Sequence, residues 1–310
     1  MLSRRQLRNK VLQALYAHFQ SGKGDLPASE RELFRSIDKV YDLYILLLML
    51  LCELADEDQN DADELHTKFF PKAQELNAKH RLFQLRFIDD LRKDKTFTSE
   101  IKNRKLGWQK ERDLVRKFFL EIKKSEDYSK FLLDDKADEQ DFLLTLIKKH
   151  LLDSEALINF LEESNIYWHD DFDFVCHMTI KTIKSFYESS KLQLFKLFKD
   201  EQDDKAFTHD LFTKTILHSD DFSKSISEKT RNWDVDRIAL MDIIILKMAL
   251  AELISFPGIP VKVTINEYID ISKEFSTPKS KLFVNGVLDK LAQEFMQAGK
   301  IVKTGRGLVG

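Results

Sequence analysis

Lys279, Phe283, Gly286 and Lys290 recur at i, i+4, i+7 and i+11 in the stretch KSKLFVNGVLDK. On a helix that spacing puts all four on one side. Two ammonium groups, an aromatic ring and a bare length of backbone suit single-stranded nucleic acid: cations for phosphates, a ring for base stacking, a glycine for close approach. The plainer alternative makes Phe283 a core residue, Gly286 the seat of a neighbouring helix, and the lysines merely solvated. Glycine inside a helix is disfavoured by roughly 1 kcal/mol against alanine. Gly286 therefore calls for a close neighbour, and packing against another helix is the expected one.

A second cluster lies near the start. Arg4, Arg5, Arg8 and Tyr16 fall within an arc of about 120° on a helical wheel, beside the apolar face. Planar guanidiniums and a phenol ring suit RNA phosphate and base contacts. A basic helix solvated on one side would carry the same residues. A third set, His169, Asp173 and His177, repeats at i, i+4 and i+8 and could share one helical face as metal ligands, with Cys176 adjacent in sequence but pointing elsewhere. Such a set lacks a defined constellation and supporting shell. Acids at a helix start are also favoured by the macrodipole. We expect no metal, no cofactor and no catalytic residue. Walker, G-x-G-x-x-G, H-E-x-x-H and G-x-S-x-G patterns are all missing from the sequence.

These residues need helices to position them, and the composition supplies helices. The 310 residues include only 9 Gly and 5 Pro, which favours an all-α fold. That length allows one large domain or two smaller ones. Cys52 and Cys176 match no zinc or redox spacing, so a reducing, cytoplasmic setting is expected. Met1–Arg5 lacks the apolar core of a signal peptide. The run Tyr44–Cys52 (YILLLMLLC) is about half the roughly 20 residues that span a bilayer, and reads as a buried helix. The net charge of −3 conceals +4 in residues 1–22 and +3 in residues 297–310, leaving the remainder at −10. An acidic body with basic ends is compatible with localised anion binding, and equally with solubilising tails.

Periodicity predicts a helix over Arg4–Gln20 and a second over about Ser29–Ala55. Several charged helices follow, with breaks near Pro71, Asp94–Thr98, Ser125–Ser129 and Asp134–Ala137. Further helices are predicted over Asp171–Ser189, Asp210–Lys229 and Val235–Ser255, with a boundary at Asn232–Asp234. Phe256–Pro260 breaks the last of these. Thr264-Ile265-Asn266-Glu267 fits a capping box opening a helix to Phe275, and Thr277-Pro278 fits a cap for the final helix, which runs to about Gln297. In that helix Val284, Val287, Leu288, Leu291 and Phe295 form the core stripe. The tail from Gly299 reads as frayed.

Taken in order, SRRQLRNKVLQALY, DDFDFVCHMTIKTI, NWDVDRIALMDIIILKMALAEL, IPVKVTINEYIDISKEF and STPKSKLFVNGVLDKL resemble the NusB transcription antitermination family. The likeness covers about the first 20 and the final 140 residues. The region from about 56 to 168 has no counterpart in compact members and resembles the enlarged Bacteroidetes-type forms. The resemblance implies an all-α, non-enzymatic protein of two helical subdomains. We divide the chain into 1–225, including the insertion at about 56–168, and 226–310. It also implies binding of boxA RNA in rRNA leader transcripts together with ribosomal protein NusE, within an RNA polymerase antitermination complex.

By the same resemblance Arg4, Arg5, Arg8 and Tyr16 match the RNA-contacting first helix. Lys279, Ser280, Lys281 and Phe283 match the RNA-contacting start of the last helix, and Lys290 extends its cationic stripe. Asp242 matches an acidic position at the NusE contact. Two departures stand out: Lys279 occupies a position where family members often carry an acid, and Gln6 one where an arginine can occur. Two alternatives remain: a protein-interaction scaffold that has lost RNA binding, and a homodimer formed through the NusE-facing surface. A related fold precedes the catalytic domain of an rRNA methyltransferase, but no glycine-rich cofactor loop occurs here.

Overall fold

The structure, a computed structural model, describes residues 1–22, 25–65, 78–134, 136–230 and 239–308. Every helix or turn of helix in it arises from the expected all-α composition, and no strand occurs among the described residues. In chain order the helices are α1 Arg4–Gln20, α2 Leu26–Leu65, α3 Arg86–Lys93, α4 Lys95–Arg104, α5 Arg112–Lys123, α6 Glu126–Leu133, α7 Glu139–Thr145, α8 Glu155–Ser164, α9 Phe172–Ser189, α10 Glu201–Leu217, α11 Ser219–Lys229, α12 Leu240–Ser255, α13 Val261–Phe275 and α14 Ser280–Gln297. The break expected at Pro71 and the boundary at Asn232–Asp234 lie outside the described residues.

The chain divides into two compact units: Asp38–Leu197 with Met1, and Leu2–Ile37 with Phe198–Gly310. The first helix therefore groups with the C-terminal helices, in place of the grouping drawn at residue 225 from sequence.

The unit Asp38–Leu197 is organised around the second part of α2. Its apolar run Tyr44–Leu51 is buried throughout, as expected of an apolar stretch too short for a membrane. No described helix is long and apolar enough to cross one. Polar anchors fix it: Trp108 Nε1 donates to Leu46 O at 3.0 Å, and the Tyr44 hydroxyl sits 2.7 Å from that of Thr182 on α9. Fully buried Asp58 accepts from Leu82 N at 2.6 Å and Arg81 Nη1 at 3.2 Å, and from the Tyr128 hydroxyl. The helix breaks read from sequence near residues 94, 125 and 134 are present. Asp94 and Ser125 each accept from a backbone N–H of the helix that follows them.

In the other unit α12 is the central element. Nearly all of it from Ile244 to Leu253 is buried, the mark of a helix surrounded by others. It packs against α1, α10, α11, α13 and α14.

Several local expectations fail: the single helix expected over Asp210–Lys229 is two, α10 and α11, parted at His218. The helix expected to open at Thr264 starts at Val261 instead, with Pro260 as its extended N-cap residue. Thr264 thus lies inside the helix, buried, and gives its hydroxyl to Glu252 at 2.9 Å. The last helix begins at Ser280, so Thr277 and Pro278 lie in the turn before it. The tail is not frayed over residues 301–304: Ile301 is buried, Thr304 N donates to Pro257 O at 3.0 Å, and Lys303 Nζ to Phe256 O at 3.0 Å.

Candidate nucleic-acid interface

All the residues singled out from sequence for RNA or partner contact lie in the unit built on α12. On α1 the helix starts from a capping box: Ser3 accepts from Gln6 N, and Gln6 Oε1 accepts from Ser3 N at 3.1 Å. Gln6 therefore satisfies an orphan backbone donor at the helix start.

Each arginine of α1 meets a carboxylate. Arg4 pairs with Asp203, and its Nε lies 3.3 Å from Asp204. Its guanidinium also stacks 4.0 Å from the Phe207 ring centroid. Arg5 forms a fork on Glu267, Nε to Oε2 at 3.0 Å and Nη2 to Oε1 at 2.9 Å, and reaches Asp270 at 2.9 Å. Glu267 is the leading cause holding the Arg5 guanidinium above its ordinary value. Arg4 and Arg5 remain 32% and 44% exposed, so solvent and ligands reach them.

Arg8 departs from expectation. It is 4% exposed and donates through Nε and Nη2 to both oxygens of fully buried Glu252, at 2.7 and 2.8 Å. Burial pulls against its charge, and Glu252 more than restores it, leaving the group above its ordinary value. Tyr268 adds a hydroxyl to the same carboxylate at 3.1 Å. Burial, then Glu252, raises that phenol well above its usual range, so it stays a donor. A guanidinium so enclosed is a structural tie between α1 and α12 and is closed to phosphate. Tyr16, 38% exposed, is open to stacking, with Gln20 donating to its hydroxyl at 3.3 Å.

The cleft beside these arginines is also lined by Asp203, Asp210 and Glu267. Three cations face three carboxylates there, so it is no preformed anion hole.

On α14 the expected stripe divides. Phe283 is buried at 5% exposure, whereas Gly286 is exposed. A β-carbon built at Gly286 would meet no atom within 4 Å. The neighbouring helix expected to need that glycine does not exist within the described residues. The core stripe Val284, Val287, Leu288, Leu291 and Phe295 is buried as read from sequence. On the side of open Gly286 stand Leu282, 70% exposed, and exposed Lys279 and Lys290, with exposed Lys281 about 140° round the helix. None of these lysines forms an ion pair among the described residues. The N-cap Lys279 makes no side-chain cap; Ser280 N and Leu282 N donate instead to Thr277 O and Lys279 O at 2.9 and 3.2 Å.

Ser280 and Asp242 prove to be partners of each other. Both are buried, and the Ser280 hydroxyl donates to Asp242 Oδ2 at 2.8 Å while accepting from Thr277 N at 3.2 Å. The pair ties the start of α14 to the start of α12. The other oxygen of Asp242, Oδ1, is buried with no hydrogen-bond partner among the described residues.

Of the third set, His177 Nδ1 lies 2.8 Å from its own helix's Asp173 carbonyl. No group of three metal-binding side chains occurs among the described residues.

A model of the NusB family matches residues 172–293. The transcription antitermination protein NusB of Geobacter sulfurreducens is 37% identical over 95 residues, which cover 69% of that relative and 31% of this chain. The chain belongs to the NusB family. The NusB proteins of Salinibacter ruber and Chloroherpeton thalassium are 40% and 38% identical over 106 and 105 residues. The chain spans 66% and 50% of their lengths, less than two thirds of either. In this NusB-family chain the family match starts with α9 and ends within α14. It takes in the lysine-bordered face and leaves out α1 and the insertion.

The carboxylates that neutralise α1 were not identified from sequence. Asp203 and Glu267 are remote in the chain from Arg4 and Arg5, and nothing local marks them. Glu252 did leave a signal. It is a lone acid in the apolar run LKMALAELIS, and a buried charge there requires a buried cation.

Proposed function

We propose that this chain is a non-enzymatic transcription antitermination factor that binds boxA-type RNA of rRNA leader transcripts together with ribosomal protein NusE. The observation that carries the RNA reading is the solvent face of α14. Lys279 and Lys290 are exposed on the side of a glycine with open space above it, and Lys281 is exposed in the first turn of the same helix. Exposed ammonium groups displace counterions from phosphates, and Gly286 lets a sugar–phosphate backbone approach the helix. Arg4, Arg5 and Tyr16 supply a second set of phosphate and base contacts on α1. Lys279, standing where the family often has an acid, adds attraction and salt sensitivity. The names of the curated relatives support the antitermination role.

NusE joins near the starts of α12 and α14, which the buried Asp242–Ser280 pair ties together. With NusE bound, the chain enters the RNA polymerase antitermination assembly.

A second reading draws on the self-neutralised arginines: a protein-interaction scaffold that binds NusE and no RNA. Titrating labelled boxA-type and scrambled RNA with the chain, alone and with NusE, separates the two. Tighter binding of the boxA-type strand, strengthened by NusE, supports the first. NusE binding with no RNA retention establishes the second.

A further inference from the structure

The two halves of the RNA surface differ in one respect. Among the described residues Lys279, Lys281 and Lys290 are unpaired, whereas each reachable arginine of α1 already holds a carboxylate. Asp203 at the start of α10 is 73% exposed and sits on Arg4. Asp270 on α13 is 39% exposed and sits on Arg5 at 2.9 Å. Asp270 also accepts from Lys273 on its own helix at 2.7 Å, an exposed pair, and neither acid has a structural duty comparable to its neighbour's. Asp204 accepts from the backbone N–H groups of Lys199 and Asp200 at 3.0 and 3.2 Å. Glu267 also reaches buried Arg8, at 3.4 Å.

We propose that Asp203 and Asp270 are built-in phosphate competitors at the arginine end of the RNA site. The inference rests on the RNA reading above and extends it. A carboxylate presents to a guanidinium the same pair of acceptor oxygens that a phosphate does. A strand reaching Arg4 or Arg5 therefore exchanges one anion for another instead of filling an empty site. Exposed pairs are weak and screened, so the exchange is reversible. Sequence-independent attraction, which lives on unpaired cations, is confined to the lysines of α14. The arginine contacts form only when the strand is already held there and laid across α1.

Two consequences are measurable. Counterions released from RNA are partly offset by cations gathered on the freed carboxylates, so the salt dependence of binding understates the number of phosphates contacted. Removing the two exposed competitors lowers the cost of each exchange, leaving Arg4 on Asp204 and Arg5 on Glu267 alone.

The test compares the full chain with Asp203→Asn/Asp270→Asn in titrations of random-sequence and boxA-type single strands across a salt series. Melting curves check the fold. A charge-matched control, Asp221→Asn/Glu228→Gln, alters exposed acids on α11, remote in sequence from α1. The competitor variant should bind random RNA roughly fivefold tighter than the parent, with a salt slope steeper by about one to two. The control should change neither measurably. The gain should vanish when Arg4→Gln/Arg5→Gln is added, since the effect passes through those arginines. Parent-like affinity and slope in the competitor variant overturn the inference while leaving RNA binding intact. So does a gain that survives loss of both arginines, or one matched by the control. If neither parent nor variant binds RNA, the RNA reading itself falls and the inference with it.

Discussion

Arg8 and Glu252 face each other through two parallel hydrogen bonds, Nε to Oε2 at 2.7 Å and Nη2 to Oε1 at 2.8 Å, with side chains 4% and 0% exposed. Thr264 and Tyr268 complete the carboxylate's partners. The relationship changes what an arginine-rich first helix means here. Its most enclosed arginine binds the helix to its own core, and only the two nearer the N-terminus reach solvent.

Arg8→Met should therefore destabilise the fold by about 3–5 kcal/mol, because it leaves Glu252 charged and buried without its cation. Thermal or denaturant melts measure this. Below its melting temperature the variant should keep the parent's salt slope for RNA. A folded variant with a flatter slope would return Arg8 to the phosphate contacts.

Gly286→Ala should raise stability by up to about 1 kcal/mol, since the site is helical, exposed and empty above the glycine. The same methyl should weaken RNA binding if a backbone comes to rest there. Higher melting temperature with lower RNA affinity is the expected pair of results. Unchanged affinity would show that nothing approaches α14 at this point.

Lys279→Ala, Lys281→Ala and Lys290→Ala should each weaken RNA binding across sequences and reduce the salt slope by about 1. Their effects on melting should be small, because all three are exposed and outside any ion pair among the described residues. A variant whose slope matches the parent's removes that lysine from the interface.

Burial pushes the Cys52 and Cys176 thiols up to about 12. The thiolate is the reactive form, so at about pH 8 both should alkylate slowly in the folded protein and rapidly once it is denatured. Reactivity should rise only in strongly alkaline solution. Cys176 is buried and Cys52 half-buried, so fast labelling of native Cys176 near neutral pH would contradict this.

Much of the fold was legible because local signals dominate in helices. α1 begins and ends where its periodicity and caps place it, and the core stripe of α14 follows its 3.6-residue period. The failures came where a distant group claimed a local one. Thr264 looked like a helix cap, yet a helix already begun at Val261 delivers its hydroxyl to Glu252. The arginines of α1 looked free because their carboxylates lie on α10, α12 and α13. Spacing put Phe283 and Gly286 on one stripe, but they stand about 60° apart on the wheel. That angle carries Phe283 into the core and Gly286 out of it. The opening above Gly286 is a tertiary fact that no helical wheel contains.

The most direct measurement is the affinity of the full chain, alone and with NusE, for a boxA-type strand and its scrambled counterpart across a salt series. Preference for the boxA-type strand, strengthened by NusE and falling linearly in log affinity with log salt, is the predicted result. Equal binding of both strands, or none, with and without NusE, would contradict an RNA-reading role for this NusB-family chain.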